Sequence, residues 1–192
     1  MNIQEAQRTT EKIFSLLREY GNESYNISEN ISQLNHMTQA AELAKKESND
    51  IEVILAALLH DIGHLCKKNG VIETIEDCGV KSHEKLGAEF LRQQGFSEKV
   101  ATLVEGHIQA KRYLTYKHPK YYKDLPEASK KTLEYQGGKM TVLEAVGFEQ
   151  DPLFWLQIKM RFWDEAAKEE NYPTPNLDAY KQMMIDHLTN QN

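Results

Sequence analysis

Apolar residues recur at the spacing of an α-helix along most of the chain, and turn-forming residues separate one helical stretch from the next. The pattern predicts a first helix over residues 3–19, which Gly21 and the polar residues after it end. A second helix is predicted to carry Ile31, Leu34, His36 and Leu43. The polar segment that ends at Asp50 resembles a helix cap, and the apolar run of residues 51–59 follows it.

The second half of the chain shows the same periodicity. Residues 70–79 are polar and predict a loop. Later helices are predicted over residues 83–94 before Gly95, from a cap at Ser97 through Lys111, over 125–135 before Gly137 and Gly138, from Asp151 through Lys168, and over 177–188. The alternation of a half-exposed strand is absent, and so are internal repeats. We therefore expect an all-α fold, and 192 residues fit one domain over residues 1–192.

The charge balance and the cysteines narrow the class of protein. Lys and Arg number 23 and Asp and Glu number 29, and the resulting net charge of −6 does not favour a nucleic-acid partner. An anionic substrate would need a local cluster of cations. Cys66 and Cys78 lack the CxxC spacing and are expected to be free thiols in a reducing compartment. No stretch approaches the roughly 18 apolar residues of a membrane span, and we expect a cytoplasmic protein.

Two side chains of the metal-ligand type stand at the end of a long apolar run. His60 and Asp61 follow residues 51–59 directly, and His64 comes three residues after Asp61. Burial of such polar groups is unfavourable by several kcal/mol unless a partner compensates. The pair therefore predicts a metal site in the core.

Further ligands of this type stand in order along the chain. His36 precedes His60 by 24 residues, His83 follows Asp61 by 22, His107 follows 24 residues later, and Asp164 comes late. A single histidine on a helix is most often an ordinary surface or core residue. The ordered set, in contrast, resembles the pattern of the HD-domain metalloproteins. Four imidazoles and two carboxylates can fill two iron-type sites, with one carboxylate bridging and positions left open for substrate and oxygen.

Two cations share helical faces with these ligands. Lys111 lies four residues after His107, and Arg161 lies three residues before Asp164. An isolated lysine is usually a solvated surface charge. A lysine and an arginine beside a metal, however, suit a phosphate or phosphonate dianion.

Several other polar residues leave two interpretations open. Ser129, Thr132 and Gln136 form a helical stripe that either faces water or offers donors to phosphonate oxygens. Glu29 stands two helical turns before the first histidine, where it either supports the start of a helix or receives a substrate ammonium. His64 is either a cation at a helix C-terminus or a contact to the ligands or the substrate.

Five strings of residues resemble the PhnZ-type HD-domain oxygenases of phosphonate breakdown, and the likeness covers nearly the whole chain. The strings are 31–36, 59–64, 105–114, 131–138 and 161–165. The resemblance implies an HD-domain helical bundle with a mixed-valent Fe(II)/Fe(III) pair in its core. It also implies a reaction in which O2 is used to cleave the carbon–phosphorus bond of a 1-hydroxy-2-aminoethylphosphonate. The products would be phosphate and glycine, or betaine from the N-methylated analogue.

The same resemblance implies roles for individual residues. The implied iron ligands are His36, His60, Asp61, His83, His107 and Asp164, with Asp61 as the bridge. The implied phosphonate contacts are Lys111, Ser129, Thr132, Gln136 and Arg161. Glu29 and His64 match residues near the amine. The family's iron-gating tyrosine stands three residues before that glutamate; Tyr25 stands four before it and is the candidate for gating, although Asn26 takes the aligned place.

Two other classes of protein would use the same features. An HD-type metal-dependent phosphohydrolase, acting on a small phosphate ester or a nucleotide, would need the same ligands and the same anion pocket. A ligand sensor without enzymatic activity would keep the fold around a degenerate site, and the presence of all six ligands argues against it.

Overall fold

A computed structural model gives the fold of residues 1–22, 24–26, 29–66, 74–75, 79–80, 82–173 and 176–191; at 24–26, 29–30, 74–75 and 79–80 it describes the backbone alone. These residues form ten α-helices, which confirms the predicted all-α class. The helices are α1 (Ile3–Tyr20), α2 (Gln33–Glu47), α3 (Ile51–Leu59), α4 (His83–Gln93), α5 (Glu98–Lys117), α6 (Pro119–Asp124), α7 (Glu127–Tyr135), α8 (Val142–Glu149), α9 (Phe154–Ala166) and α10 (Leu177–Thr189).

Three of the predicted helix ends are confirmed by their local geometry. The Asp50 side chain accepts a hydrogen bond from the Glu52 amide at 2.9 Å, and Ser97 accepts one from the Val100 amide at 3.3 Å. Gly95 has a φ of 86° just after α4. This left-handed conformation favours glycine and explains why the helix ends there.

Two short strand pairs interrupt the helices, and the sequence pattern did not predict them. β1 (Ser24–Asn26) pairs antiparallel with β2 (Glu29–Ser32), and β3 (Thr74–Ile75) pairs antiparallel with β4 (Gly79–Val80). The second pair falls in the segment predicted as a loop, whose other residues lie outside the described part of the chain.

The prediction that the second helix carries Ile31 is wrong, because Ile31 belongs to β2. Ser32 is the N-cap of α2, where its side chain accepts a hydrogen bond from the Asn35 amide at 3.2 Å. This cap fixes the start of the helix after Ile31. Leu34, His36 and Leu43 lie on α2 as predicted.

Helix α3 is the centre of the bundle. Every residue from Val53 to Leu59 is buried, and the helix packs against α2, α5, α9 and α10. A helix that is apolar on all sides is stable only when other helices surround it. Three of these surrounding helices, α2, α5 and α9, each carry a predicted ligand, and His60 and Asp61 directly follow α3. Among the described residues, no helix is both long and apolar enough to cross a membrane.

Candidate metal centre

Close backbone packing brings the end of α3 and the start of α4 together. His60 follows α3, Asp61 comes next, and Ile62–His64 form a 3-10 turn. A Cβ atom on Gly63 would lie 1.9 Å from the carbonyl oxygen of His83, so only glycine allows this approach. The glycine of the His-Asp-Ile-Gly-His string thus places His83 beside Asp61.

Three of the predicted ligands form a first buried trio, which consists of His36, His60 and Asp164. The Nε2 atom of His36 lies 3.1 Å from Nε2 of His60 and 3.2 Å from Oδ1 of Asp164. Nε2 of His60 lies 3.8 Å from the same oxygen. Helix α2, the residue that directly follows α3, and helix α9 therefore each deliver one ligand atom to a common point.

Asp61, His83 and His107 form a second buried trio. Nε2 of His83 lies 3.3 Å from Nε2 of His107 and 3.3 Å from Oδ1 of Asp61. The other oxygen of Asp61, Oδ2, lies 3.6 Å from Nε2 of His36 and 3.5 Å from Nε2 of His60. Asp61 thus turns one oxygen toward each trio, which is the arrangement that a bridging carboxylate requires.

The hydrogen bonds of the histidines fit a pair of metal ions. Nδ1 of His36 lies 2.9 Å from the Ala167 carbonyl oxygen, and Nδ1 of His60 lies 2.9 Å from that of Ala57. A carbonyl oxygen only accepts, so each Nδ1 carries the hydrogen and Nε2 is the ring nitrogen left to face the other ligand atoms. A metal ion would take the lone pairs of both Nε2 atoms, which lie 3.1 Å apart and would otherwise repel each other.

Electrostatics favours the metal-binding state of two of the candidate ligands, His107 and Asp61. Burial, followed by the charges of His60 and His83, lowers the pKa of His107 to about 3, so this ring is neutral. Burial alone would raise the pKa of Asp61, but the neighbouring histidines, His60 first, hold it well below its usual range. Both groups are therefore available as ligands at neutral pH.

A second polar pocket lies between α5 and α7. Lys111 is 2% exposed, and its Nζ donates hydrogen bonds to Oγ1 of Thr132 at 2.7 Å and to Oε1 of Gln136 at 2.9 Å. The Thr132 hydroxyl also lies 3.1 Å from the carbonyl oxygen of the half-buried Ser129. The polar stripe therefore faces the lysine and not only water, and Lys111 is no surface charge.

Arg161 is also buried, and it contacts a ligand of the first trio. Its Nη1 donates to Oδ2 of Asp164 at 2.5 Å, while Oδ1 of that aspartate faces His36. Burial alone would lower the pKa of Arg161, but Asp164 and then Tyr121 keep it well above the ordinary value. Arg161 thus orients a ligand in addition to its predicted role in anion binding.

Two residues that the sequence analysis missed complete the surroundings of Arg161. Its Nη2 donates to Oε1 of Glu165 at 2.7 Å, and its Nε donates to the hydroxyl of Tyr121 at 3.0 Å. Glu165 stands four residues after Arg161, and this helical spacing could have identified it. Tyr121 lies on α6, a short helix that the hydrophobic pattern did not predict.

The remaining predicted site residues are described to different extents. The ring of His64 stacks on that of His83 with centroids 4.0 Å apart, and its Nε2 lies 4.0 Å from Oδ1 of Asp61. His64 is therefore at the edge of the second trio. Tyr25 lies on β1 and Glu29 on β2, just before α2, and their side chains lie outside the described part of the chain.

Arg112, which follows Lys111, is another functional candidate that the sequence analysis missed. It is buried, and its Nε donates to the carbonyl oxygen of Gly138 at 3.0 Å. Its Nη2 donates to Oε1 of Glu144 at 2.7 Å. Gly137 and Gly138 have φ values of 98° and 68°, so this turn adopts a conformation that favours glycine. Arg112 therefore fixes the turn that directly follows Gln136.

We expect Arg112→Gln to raise the KM for an anionic substrate about tenfold, the equivalent of roughly 1.4 kcal/mol, with little change in kcat or metal content. The variant frees the turn and lets Gln136 leave Lys111. Steady-state kinetics with metal analysis measures this. Arg92→Gln is the control, because it removes an exposed ion pair with Glu98. An Arg112 variant with an unchanged KM would contradict the prediction.

Comparisons with known proteins agree with this geometry. A model of the HD domain matches residues 34–152. The chain is 38% identical over 188 residues to the uncharacterized protein L432 of Acanthamoeba polyphaga mimivirus, covering 98% of this chain and 85% of that protein.

Two relatives carry the names of enzymes. The chain is 37% identical over 164 residues to [1-hydroxy-2-(trimethylamino)ethyl]phosphonate dioxygenase (glycine-betaine-forming) of Leisingera caerulea, covering 85% of this chain and 82% of the relative. It is 36% identical over 168 residues to hydroxymethylphosphonate dioxygenase of Gimesia maris, covering 88% of this chain and 82% of the relative. The chain therefore belongs to the HD-domain family and, within it, to the branch that contains the phosphonate dioxygenases.

Proposed function

We propose that this protein is a dinuclear iron oxygenase that uses O2 to cleave the carbon–phosphorus bond of a 1-hydroxy-2-aminoethylphosphonate or its N-methylated analogue. The products would be phosphate and glycine, or phosphate and betaine. The observation that carries the proposal is the position of Asp61, whose two carboxylate oxygens each face one buried trio. Buried cations lie beside this arrangement, as a phosphonate dianion requires.

Each group of residues has a separate task in this proposal. The two trios would hold an Fe(II)/Fe(III) pair, which supplies the redox chemistry with O2 when bound. Lys111, with Thr132 and Gln136, would bind and orient the phosphonate oxygens, and Ser129 and Arg161 would be further contacts. Charge-assisted hydrogen bonds of this kind fix the substrate in one orientation before the bond is cleaved.

The other end of the substrate would lie toward β1 and β2. We assign Glu29 and His64 to the amine end and Tyr25 to gating of the metal pair. The names of the two relatives support a shared 1-hydroxyphosphonate core with a variable substituent, since one substrate carries a trimethylammonium group and the other carries no amine. We also propose a cytoplasmic location, which suits the free thiol of Cys66.

The test is aerobic incubation of the iron-loaded protein with a panel of 1-hydroxyphosphonates that differ in the amine. We expect phosphate release that requires O2, with O2 consumed in proportion. The competing hypothesis is hydrolysis of a phosphate ester or nucleotide, and this reaction would use the same trios and the same polar pocket. Phosphate release from such an ester without O2, together with no O2 uptake on the phosphonates, would overturn the proposal.

The pKa of Lys111 gives the proposed enzyme a characteristic pH dependence. Burial, and after it repulsion from Arg161, lowers the pKa of this lysine to about 7. Lys111 is charged below that pH and loses its charge as the pH rises. We therefore expect kcat/KM to fall above a pH of about 7, because this parameter follows ionisation of the free enzyme.

A bound dianion stabilises the charged lysine, so kcat should fall only at higher pH. Rate measurements across the pH range, with Lys111→Gln as the matched variant, test this expectation. The variant should have a lower kcat/KM at pH 6 and lack the decline above pH 7. Substrate ionisation affects both proteins equally, so an identical decline in both would show that Lys111 is not its source.

A further inference from the structure

The four ligand histidines differ in the group that faces Nδ1. Nδ1 of His36, His60 and His107 lies within hydrogen-bond distance of a backbone carbonyl oxygen, at 2.9, 2.9 and 2.6 Å. Nδ1 of His83 lies 3.8 Å from Oε2 of Glu84 instead. Three ligands are thus oriented by neutral acceptors, whereas the fourth has a carboxylate beside it.

Glu84 is unusual for a glutamate in a helix. It is 4% exposed, and its Oε2 has no hydrogen-bond partner among the residues that the structure describes. A buried carboxylate oxygen without a partner is unfavourable, so its presence calls for an explanation. The residue stands at the second position of α4, immediately after a ligand of the second trio.

We propose that Glu84 is a positioning residue of the metal centre: its carboxylate is the charged partner of the Nδ1–H group of His83 and strengthens the bond from Nε2 of that ring to the metal. A carboxylate that accepts from Nδ1 orients the ring and increases its basicity more than a carbonyl does. A metal ion draws electron density from the ring, which makes Nδ1–H a stronger donor toward Oε2. The inference rests on the proposed metal pair and concerns the second trio alone.

The balance of charge in the neighbouring pocket offers a different explanation. Glu84 is close enough to Lys111 to favour the charged form of that lysine. If this were its whole role, removal of the carboxylate would weaken anion binding and leave metal binding unchanged. The two explanations thus predict different measurements on the same variant.

The experiment is calorimetric titration of the metal-free protein with Fe(II) under anaerobic conditions. Glu84→Gln keeps the size of the side chain and removes its charge. We expect the variant to bind its first metal normally and its second metal 10- to 100-fold more weakly, the range for loss of an outer-shell partner. Glu89→Gln is the control, since it makes the same change at an exposed position of α4. Binding of both metals with wild-type affinities by Glu84→Gln would overturn the inference.

Glu84→Asp separates charge from packing. A role in packing predicts that the glutamine variant, which matches the native shape, binds metal better than the shorter aspartate variant. Our inference predicts the reverse order, because aspartate keeps the carboxylate. The inference is overturned if the aspartate variant binds the second metal no better than the glutamine variant does. Failure of the wild-type protein to bind two metals would instead count against the proposed function.

A redox titration of the iron-loaded proteins, followed by EPR, gives a readout that packing alone does not move. The negative charge favours the oxidised metal, so Glu84→Gln should raise the reduction potential of one iron. A tenfold change in the relative affinity for the two oxidation states corresponds to about 59 mV. Equal potentials in the wild-type and glutamine proteins would count against the inference.

Discussion

Replacement of Asp61 by alanine is expected to abolish the metal pair and to lower turnover by more than roughly 100-fold, the upper end of the effect of losing an outer-shell partner. The large effect follows from geometry, because the two oxygens of this one side chain lie 3.3–3.6 Å from ligand atoms of both trios. Metal content and the EPR signal of a coupled pair measure the loss.

Asp164→Ala provides the matched comparison, since Asp164 faces the first trio only. We expect that variant to keep one metal bound by the second trio. A protein with alanine at position 61 that still held two coupled metals would show that the carboxylate is not the bridge.

The second large effect is expected from Arg161→Ala. The substitution removes the proposed charge-assisted contact to the substrate, and we expect phosphonate binding to weaken by about 2 kcal/mol or more, which is roughly 30-fold. It also leaves Oδ2 of Asp164 without the donor that lies 2.5 Å away. We therefore expect weaker binding of the metal in the first trio as well.

Competition with inorganic phosphate measures the loss of anion affinity. Metal titration measures the loss of metal affinity separately. Arg161→Lys is the control that keeps the charge but lacks the planar guanidinium, which donates to Asp164, Glu165 and Tyr121 together. The lysine variant should recover part of the anion affinity and little of the metal affinity. Anion affinity that is unchanged in the alanine variant would exclude Arg161 from the pocket.

The positions of the metal-ligand residues could be predicted because their signal is local. His60 and Asp61 break an apolar run whose burial is certain, and the ordered spacing of the other histidines resembles the HD-domain pattern. Caps such as Asp50 and Ser97 were predicted for the same reason, since a cap depends on residues a few positions away.

The features that the sequence did not reveal depend on distant contacts. Helix α6 has only six residues and no buried position, so it leaves no apolar period to detect. The contact of Tyr121 with Arg161 spans 40 residues of sequence. Glu84 looks like an ordinary helix glutamate in the sequence, and only its burial beside His83 distinguishes it. The local hydrophobic pattern contains no information about contacts between side chains that are distant in the sequence.

In the proposed site, the contact of Arg161 with Asp164 would link metal and anion binding thermodynamically. An anion that accepts hydrogen bonds from this guanidinium would bring negative charge next to the first trio while Arg161 still orients Asp164, and the added charge would favour a metal cation there. Linkage is reciprocal, so the factor by which phosphate tightens iron binding is also the factor by which iron tightens phosphate binding. Phosphate that accumulates during turnover would then help the protein to retain its iron. Metal-free protein would bind substrate weakly and would therefore not compete for it with the iron-loaded protein.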